Sequence, residues 1–166
     1  MLRPPVLSDA ARISQLAGDY DVASMTGTIP HPYNEQMAAE WIGSALEGEE
    51  GVVFVIQRDG SLIGCLGYRA FGAERAELGY WIGKPFWGLG YATEAVQALV
   101  AHAFDAEGFA YLMAGHFTDN PASERVIRKL GFVEQGSEMR ECAARCDRAQ
   151  CVTYRLDRKR AVAHFH

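Results

Sequence analysis

One segment of this chain, residues 77–95, constrains the fold more than any other. It reads Glu-Leu-Gly-Tyr-Trp-Ile-Gly-Lys-Pro-Phe-Trp-Gly-Leu-Gly-Tyr-Ala-Thr-Glu-Ala, which is typical of a strand, a glycine-containing turn and the start of an amphipathic helix. Gly88 and Gly90 allow successive backbone N–H groups to converge on one point, which the positive end of the helix also faces. This arrangement predicts a phosphate-binding turn. Two glycines alone are equally consistent with a plain tight turn.

The remaining pattern of apolar residues and turn signals predicts one α/β (α+β) domain over residues 1–166. Its sheet combines antiparallel hairpins, one of them turning at Asp59-Gly60, with a strand–helix–strand crossover. The predicted helices cover residues 8–18, 34–46, 91–107 and 121–130, and the predicted strands cover residues 52–56, 62–68, 76–83, 109–117, 132–140 and 151–156. No internal repeat, low-complexity segment or linker divides the chain, and residues 157–166 form a basic C-terminal tail.

Composition limits the compartment and the partners that we expect. The chain has 166 residues, of which 49% are hydrophobic, so it can bury a sizeable core. Its 16 basic and 21 acidic residues give a net charge of −5, which offers no basic excess for nucleic acid. The N-terminus lacks the apolar region of a signal peptide, and no apolar run approaches the roughly 20 residues that span a bilayer. We therefore expect a soluble, cytoplasmic protein with no nucleic-acid or membrane partner.

The cysteine and histidine spacing does not predict a metal site. Cys65 lies in an apolar strand and is expected to be a small core residue. The other three cysteines lack the paired C-x2-C spacing and the nearby histidines of zinc sites; they are Cys142, Cys146 and Cys151. His164 and His166 lie in the basic tail, which is expected to be a frayed end rather than a ligand set.

Two segments together carry a family resemblance. Residues 87–92 read Trp-Gly-Leu-Gly-Tyr-Ala, and residues 120–132 read Asn-Pro-Ala-Ser-Glu-Arg-Val-Ile-Arg-Lys-Leu-Gly-Phe. In this order, with matching strands between them, they resemble the GNAT acetyltransferase superfamily. The opening Leu-Arg-Pro-Pro and the later Ile-Pro-His-Pro-Tyr are similar to its Rim-type branch of ribosomal-protein N-terminal acetyltransferases. The resemblance covers residues 2–156.

The resemblance implies a fold and an activity. The fold is a mixed, mostly antiparallel twisted sheet of about six to seven strands, with splayed central strands and about four flanking helices. The activity is direct transfer of an acetyl group from acetyl-CoA to a primary amine in a ternary complex. The acceptor is a protein N-terminus or a small amine or amino-acid-like molecule, no metal takes part, and the protein is a monomer or homodimer.

The resemblance also implies where coenzyme A binds. The family's motif Gln/Arg-x-x-Gly-x-Gly/Ala maps onto residues 87–92, with Trp87 in place of the usual Gln or Arg. The backbone amides expected to hold the pyrophosphate belong to Trp87, Gly88, Leu89, Gly90, Tyr91, Ala92 and Thr93. The backbone of Tyr80, Trp81 and Ile82 is expected to pair with the pantetheine arm as an added strand, whereas the side chains of Tyr80 and Trp81 are expected to be plain strand aromatics.

Asn120 and Ser123 have both a structural and a functional interpretation. As isolated residues they are typical of a helix cap and a first helical turn. In the family, an Asn at this position contacts the cofactor near its thiol, and a Tyr seven residues later usually protonates the departing thiolate. Here that later residue is Ile127, which has no proton to give. In the Rim-type branch the serine of Asn-x-x-Ser takes this role, so the resemblance implies that Ser123 is the proton donor.

The identity of the general base stays open, with three residues and ordered water as the candidates. Glu77 begins the central strand but is also consistent with a solvated strand residue. His116 has a suitable pKa, near neutrality, although a satisfied or exposed histidine is the commoner situation. Glu141 lies where some Rim-type enzymes carry a catalytic Glu, but a register shift of one residue would turn it to the other sheet face. Tyr33 and Trp41 are expected to line the acceptor site, although core packing is the commoner role for Trp41.

A second function is compatible with the same residues. The missing Gln or Arg at Trp87 and the missing Tyr at Ile127 are also consistent with a catalytically silent acyl-CoA-binding domain that regulates a partner. Ser123 and the intact Gly-x-Gly turn favour the enzyme. Release of free thiol from acetyl-CoA in the presence of amines distinguishes the two.

Overall fold

A computed structural model of the protein describes residues 1–165. Six helices accompany seven strands in this part of the chain. The helices are α1 (Ala10–Ala17), α2 (Tyr20–Ala23), α3 (Glu35–Leu46), α4 (Tyr91–Glu107), α5 (Pro121–Lys129) and α6 (Arg158–Phe165). The strands are β1 (Leu2–Arg3), β2 (Val52–Arg58), β3 (Ser61–Phe71), β4 (Arg75–Ile82), β5 (Tyr111–Phe117), β6 (Val133–Cys142) and β7 (Asp147–Asp157).

The strands form one sheet in the order β1-β2-β3-β4-β5-β7-β6. Every neighbouring pair is antiparallel except β4 and β5, which are parallel and are joined by the crossover through α4. The predicted mostly antiparallel sheet is therefore confirmed. The predicted boundaries of α4 are confirmed, because Gly90 and Gly108 flank this helix in left-handed conformations that L-residues avoid.

Apolar clusters cover both faces of the sheet, and the two with the most buried residues pack against its helices. The larger one packs α4 and α5 on one face, with Leu99, Leu112 and Ile127 among its most buried side chains. The second packs α1 and α3 on the other face and contains Cys65, which is 3% exposed as the sequence predicts. Each face of the sheet is therefore covered by its own helices.

The central strands separate partway along their length. β4 and β5 pair only through Arg75–Tyr111, Ala76–Leu112 and Glu77–Met113. Beyond Glu77, β4 stays paired with β3 as far as Ile82, and β5 stays paired with β7 as far as Phe117. A wedge-shaped gap therefore opens in the middle of the sheet, which confirms the predicted splayed strands.

Three elements were not predicted: β1, α2 and α6. The basic tail, expected to be frayed, forms α6 from Arg158, and Ala161 is 3% exposed. Its polar side chains contact main-chain oxygens: Arg160 Nε donates to Gly131 O (2.6 Å), and His164 Nε2 lies 2.7 Å from Lys129 O. These carbonyls near the end of α5 give the basic residues a structural role. His166 lies outside the described residues.

The helices of the described part of the chain are all too short or too polar to cross a membrane. The longest, α4, has 17 residues. This finding agrees with the absence of a long apolar run in the sequence.

Candidate functional site

The gap between β4 and β5 opens into a large cleft with a volume of ≈ 1690 Å³. Residues from both faces of the sheet line it, because the gap interrupts the sheet itself. On the α4–α5 side the lining includes Gly88, Gly90, Tyr91, Ala92, Thr93, Asn120, Ser123, Arg125 and Lys129. On the α1–α3 side it includes Met25, Ile29, Tyr33, Glu40, Trp41, Trp81 and Arg140. Two molecules can therefore approach the gap from opposite faces of the sheet.

The free edge of β4 presents backbone groups to this gap. Gly83 N–H donates to Ile63 O (2.8 Å), and successive residues of an antiparallel strand direct their backbone groups alternately to the two sides. Trp81 therefore faces β3, whereas Tyr80 and Ile82 face the gap. The structure thus favours the strand-pairing role predicted for the backbone of Tyr80 and Ile82, but not for that of Trp81. The Trp81 side chain packs against the second core.

The glycine turn before α4 has the geometry of an anion site. Gly88 and Gly90 have φ values of 75° and 83°, and a Cβ added at either position would contact nothing within 4 Å. The first backbone bond of α4 runs from Glu94 N–H to Gly90 O (3.2 Å), so the N–H groups of the preceding first turn have no partner within the helix. Gly90, as the N-cap, has no side chain to bind them. These donors fit a pyrophosphate.

Trp87 keeps a polar contact despite replacing the family's Gln or Arg. Its indole Nε1–H donates to Ile82 O at 2.7 Å. The bond connects the end of β4 to the glycine turn and occupies the carbonyl that β4 would otherwise present to the gap. The sequence predicts only a backbone role for Trp87. Trp87 is 45% exposed, and no local sequence signal indicates this contact with Ile82.

Ser123 and Asn120 lie together at the N-terminus of α5. Asn120 caps the helix, because its Oδ1 accepts a hydrogen bond from Ser123 N–H (3.2 Å). Ser123 is 9% exposed, and its Oγ lies 2.6 Å from the phenol oxygen of Tyr80 on β4. Burial raises the pKa of Tyr80 to about 12, although the bond with Ser123 acts to lower it. The side chain of Tyr80, expected to be a plain strand aromatic, thus joins the two elements that border the gap.

His116 is buried, and both of its ring nitrogens have partners. Nδ1 lies 2.8 Å from the carbonyl oxygen of Phe117, and Nε2 lies 2.9 Å from the hydroxyl of Tyr154. A carbonyl only accepts, so Nδ1 carries the proton and Nε2 accepts from Tyr154. The lone pair that a base would use is therefore already occupied. The structure therefore favours the interpretation of His116 as a structural histidine whose hydrogen-bonding groups both have partners.

Glu77 is half-buried and forms an ion pair with Arg140, which reaches it from β6. Arg140 also binds Glu138 (2.7 Å). Burial acts to lower the pKa of Arg140, but the hydrogen bonds with these two carboxylates raise it above its usual range. Glu77 is thus held as the partner of a cation, which opposes proton abstraction. No local sequence signal indicates this role of Arg140, since only the folded sheet brings its side chain from β6 to Glu77 on β4.

Glu141 borders the cleft and is exposed. β6 pairs with β7 through a register irregularity between Glu134 and Gly136. Adjacent strand residues point to opposite faces, so Glu141 lies on the face opposite to Arg140. Glu141 therefore points away from the face that carries Arg140 and Glu77. This is the orientation that the expected register shift implies.

The α1–α3 side of the cleft is bordered by aromatic rings and a carboxylate. Tyr33 and Trp41 line it and also pack against the second core, so both expected roles apply. Burial is the main cause that raises the pKa of Tyr33 to about 12. Glu40 lines this side too, and it forms no ion pair with another residue of the described chain. The carboxylate of Glu40 therefore gives this side of the cleft an unpaired negative charge.

The loop after α2 is fixed to the turn between β6 and β7. Ala143 N–H donates to Gly27 O (3.0 Å), Arg145 Nε donates to Ser24 O (2.9 Å), and the Cys142 thiol donates to Thr26 O (3.2 Å). These bonds connect the loop after α2, which lines the α1–α3 side of the cleft, to the end of β6. Within residues 1–165, no group of three or more His, Cys, Asp or Glu side chains has the arrangement of a metal site.

Comparison with known proteins identifies the family. The family model of the acetyltransferase (GNAT) domain matches residues 1–133. The chain is 37% identical over 115 residues to the uncharacterized N-acetyltransferase YoaA of Bacillus subtilis, an alignment that covers 68% of this chain and 59% of YoaA. It is 29% identical over 86 residues to the ribosomal-protein-serine acetyltransferase of Escherichia coli, covering 51% of this chain and 48% of that protein. The chain thus spans about half to three-fifths of these curated relatives.

A solved structure shows the same fold over almost the whole chain. RimJ of Mycobacterium smegmatis, in complex with CoA-disulfide, superposes with a TM-score of 0.83 at 23% identity, covering 95% of this chain and 81% of that one. This superposition shows the shared fold, and the E. coli ribosomal-protein-serine acetyltransferase is the relative by sequence that agrees with the predicted Rim-type resemblance. The matched family model, the shared fold and the splayed strands beside a glycine turn all agree. The chain therefore belongs to the GNAT acetyltransferase family.

Proposed function

We propose that the protein is an acetyl-CoA-dependent N-acetyltransferase that transfers the acetyl group directly to a primary amine. The observation that carries this proposal is the gap between β4 and β5, which joins the glycine turn on one face of the sheet to an acidic, aromatic pocket on the other. Two substrates that enter from opposite faces meet in the gap, and such alignment supplies much of the rate of a two-substrate reaction.

The residues present fit acetyl-CoA as a substrate. The N–H groups of residues 88–93 would bind its pyrophosphate, and the edge of β4 at Tyr80 and Ile82 would pair with its pantetheine arm. Arg125 and Lys129 also line this side of the cleft, where their charges would favour phosphate groups. The Ile82 N–H is the backbone donor best placed to polarise the thioester carbonyl.

The amine must be neutral to attack, and the leaving thiolate needs a proton. Ser123 lies at the gap end of α5 and is the proposed proton donor. Water, rather than a dedicated side chain, is the proposed route by which the amine loses its proton. Three observations support this choice. Glu77 is ion-paired with Arg140, and both ring nitrogens of His116 already have hydrogen-bond partners. Glu141 is exposed on the opposite strand face.

The proposed acceptor is a cationic amine, either a peptide N-terminus or a small amine. Glu40 borders the acceptor side, where its carboxylate attracts an ammonium group before that group loses its proton. The name of the E. coli relative describes a serine of a ribosomal protein as its substrate, which supports a protein acceptor for this chain. The proposed state of the protein is a monomer or homodimer.

The deciding experiment measures thiol release. The protein is incubated with acetyl-CoA and a panel of small amines, amino acids and N-terminal peptides, and free thiol is followed against a no-enzyme control. Release that depends on the amine supports the proposal. Tight coenzyme A binding with thiol release at the control rate for the whole panel would instead support a catalytically silent regulatory domain.

A further inference from the structure

Two hydroxyl groups span the gap between the splayed strands. The phenol oxygen of Tyr80, on the free edge of β4, lies 2.6 Å from Oγ of Ser123, in the first turn of α5. The nearest alternative acceptor for the phenol is the Ser123 carbonyl oxygen at 3.5 Å, which is at the limit of a hydrogen bond. Ser123 is 9% exposed and Tyr80 is half-buried. The short bond is therefore the main polar contact of both hydroxyls.

Ser123 alone is a poor proton donor. An aliphatic hydroxyl that gives up its proton must become an alkoxide, and nothing cationic among the described residues contacts its Oγ. A phenol is far more acidic, since tyrosine ionises near pH 10 in water. Even with its pKa raised to about 12 by burial, Tyr80 remains protonated at neutral pH and is the more acidic member of the pair.

The bond can be formed with either oxygen as donor, and its surroundings favour Tyr80. When the phenol donates to Oγ, the Ser123 proton is free to rotate toward the cleft, which Ser123 lines. The reverse direction leaves the phenol proton only the distant Ser123 carbonyl. Donation by Tyr80 also strengthens the donor power of the serine, because hydrogen bonds in a chain polarise one another.

We propose that Tyr80 is a positioning residue that delivers a proton through Ser123 to the departing thiolate. This inference rests on the proposed function. As the bond from nitrogen to the acetyl carbon forms and the carbon–sulfur bond breaks, the electron pair of that bond stays on sulfur. Ser123 gives its proton to sulfur and takes the phenol proton. Tyr80 regains a proton from water, which has received the one lost by the amine, so the net change is one proton moved from amine to thiol.

The test combines two substitutions, Tyr80→Phe and Ser123→Ala, singly and together. Tyr80→Phe keeps the ring and removes only the hydroxyl. We expect it to lower kcat by about 10- to 100-fold, within the usual range of general acid catalysis, with unchanged coenzyme A affinity by calorimetry. Because the proton passes through Ser123, Tyr80→Phe should add nothing in the Ser123→Ala background. A merely structural role of Tyr80 would not produce this dependence.

The matched control is Tyr111→Phe, which removes a phenol from β5 at the paired end of the strands, where its hydroxyl lies 3.4 Å from Arg75. It should leave kcat unchanged. A second readout needs no variant: the rate of single-turnover acetyl transfer by the unaltered protein in mixtures of H₂O and D₂O. Two protons that move together give a curved dependence on the deuterium fraction, whereas one gives a straight line.

The outcomes separate this inference from the proposed function. Full kcat in Tyr80→Phe, multiplicative losses in the double variant, or a straight isotope dependence would overturn the role of Tyr80 while leaving the acetyltransferase intact. An unaltered protein that releases no thiol with any amine would overturn the proposed function, and the role of Tyr80 with it. A lower kcat in Tyr80→Phe, no further loss in the double variant and a curved isotope dependence would support the inference.

Discussion

The indole N–H of Trp87 donates a hydrogen bond to the carbonyl oxygen of Ile82, 2.7 Å away. Trp87 is the position at which this chain departs from the family's phosphate motif. Its hydrogen bond joins that position to Ile82, the last residue of β4. It fixes the direction from which the glycine turn approaches the open edge of that strand. The two parts of the proposed coenzyme A site, the turn and the strand edge, are thereby held in one geometry.

Replacement of Trp87 by Phe tests the value of this bond. The change removes the donor and keeps an aromatic ring, and a typical hydrogen bond contributes about 0.5–1.5 kcal/mol. If that energy positions the turn, coenzyme A affinity should fall by about 2- to 10-fold in calorimetry. Trp41→Phe, on the acceptor side, should leave coenzyme A affinity unchanged. An unchanged affinity for Trp87→Phe would show that the bond does not position the site.

Replacement of Gly90 by Val should severely weaken coenzyme A binding. Gly90 has a φ of 83°, which a β-branched residue does not adopt without strain, although its Cβ would meet no atom within 4 Å. The strain must move the backbone N–H groups that face the phosphate. Gly90→Asn, which tolerates this conformation, should retain more affinity.

A matched control for Gly90 lies at the other end of the same helix. Gly108 has a φ of 71° and equally open surroundings, so Gly108→Val carries a similar strain away from the cleft. Both valine variants should lose thermal stability, but only Gly90→Val should lose coenzyme A affinity. Equal affinities for the two folded variants would contradict the phosphate-binding assignment of the turn.

Local signals in the sequence were sufficient for most of the fold. Helix α4 lies between two glycines, α5 begins with Asn120 and Pro121, and the β2–β3 hairpin turns at Asp59-Gly60. Each of these signals acts within a few residues, so it can be read without the tertiary structure. The two-residue strand β1 and the four-residue helix α2 carry too few residues to show any periodicity.

The side-chain partners of the site could not be read in the same way. Tyr80 and Ser123 are 43 residues apart, and Arg140 and Glu77 are 63 residues apart. Both pairs depend on the gap and on the order of the strands, which the sequence reveals only through the family resemblance. His116 shows the same limit, because its residue type suits a base but the structure encloses its ring between two partners.

The ion pair of Asp9 with Arg3 should make stability depend on acidic pH. The hydrogen bonds from Arg3, at 2.8 and 2.9 Å, are the main cause that lowers the pKa of Asp9, whose side chain is 9% exposed. A carboxyl whose pKa is lower in the folded state stabilises the fold above its unfolded pKa, near 3.8. This contribution is lost as the pH falls below that value.

Asp9→Asn tests this linkage. The variant should be less stable by about 1.5–3 kcal/mol at pH 6, the range for hydrogen bonds to charged groups, and the difference should shrink as the pH falls below about 4. Urea unfolding at a series of pH values measures both. Asp59→Asn is the control, because the side chain of Asp59 is 87% exposed. A constant difference across the pH range would show that the ion pair is not the cause.

The last prediction concerns the pH dependence of catalysis. The rising limb of kcat/KM should follow the pKa of the acceptor amine, because His116 and Glu77 are already engaged and Glu141 points to the other strand face. His116→Gln, Glu77→Gln and Glu141→Gln should each keep the limb, whereas a less basic acceptor should move it to lower pH by about the difference in amine pKa. A limb that stays fixed when the acceptor changes, and that disappears in one of the three variants, would contradict this prediction. The substituted residue would then be the general base, in place of water.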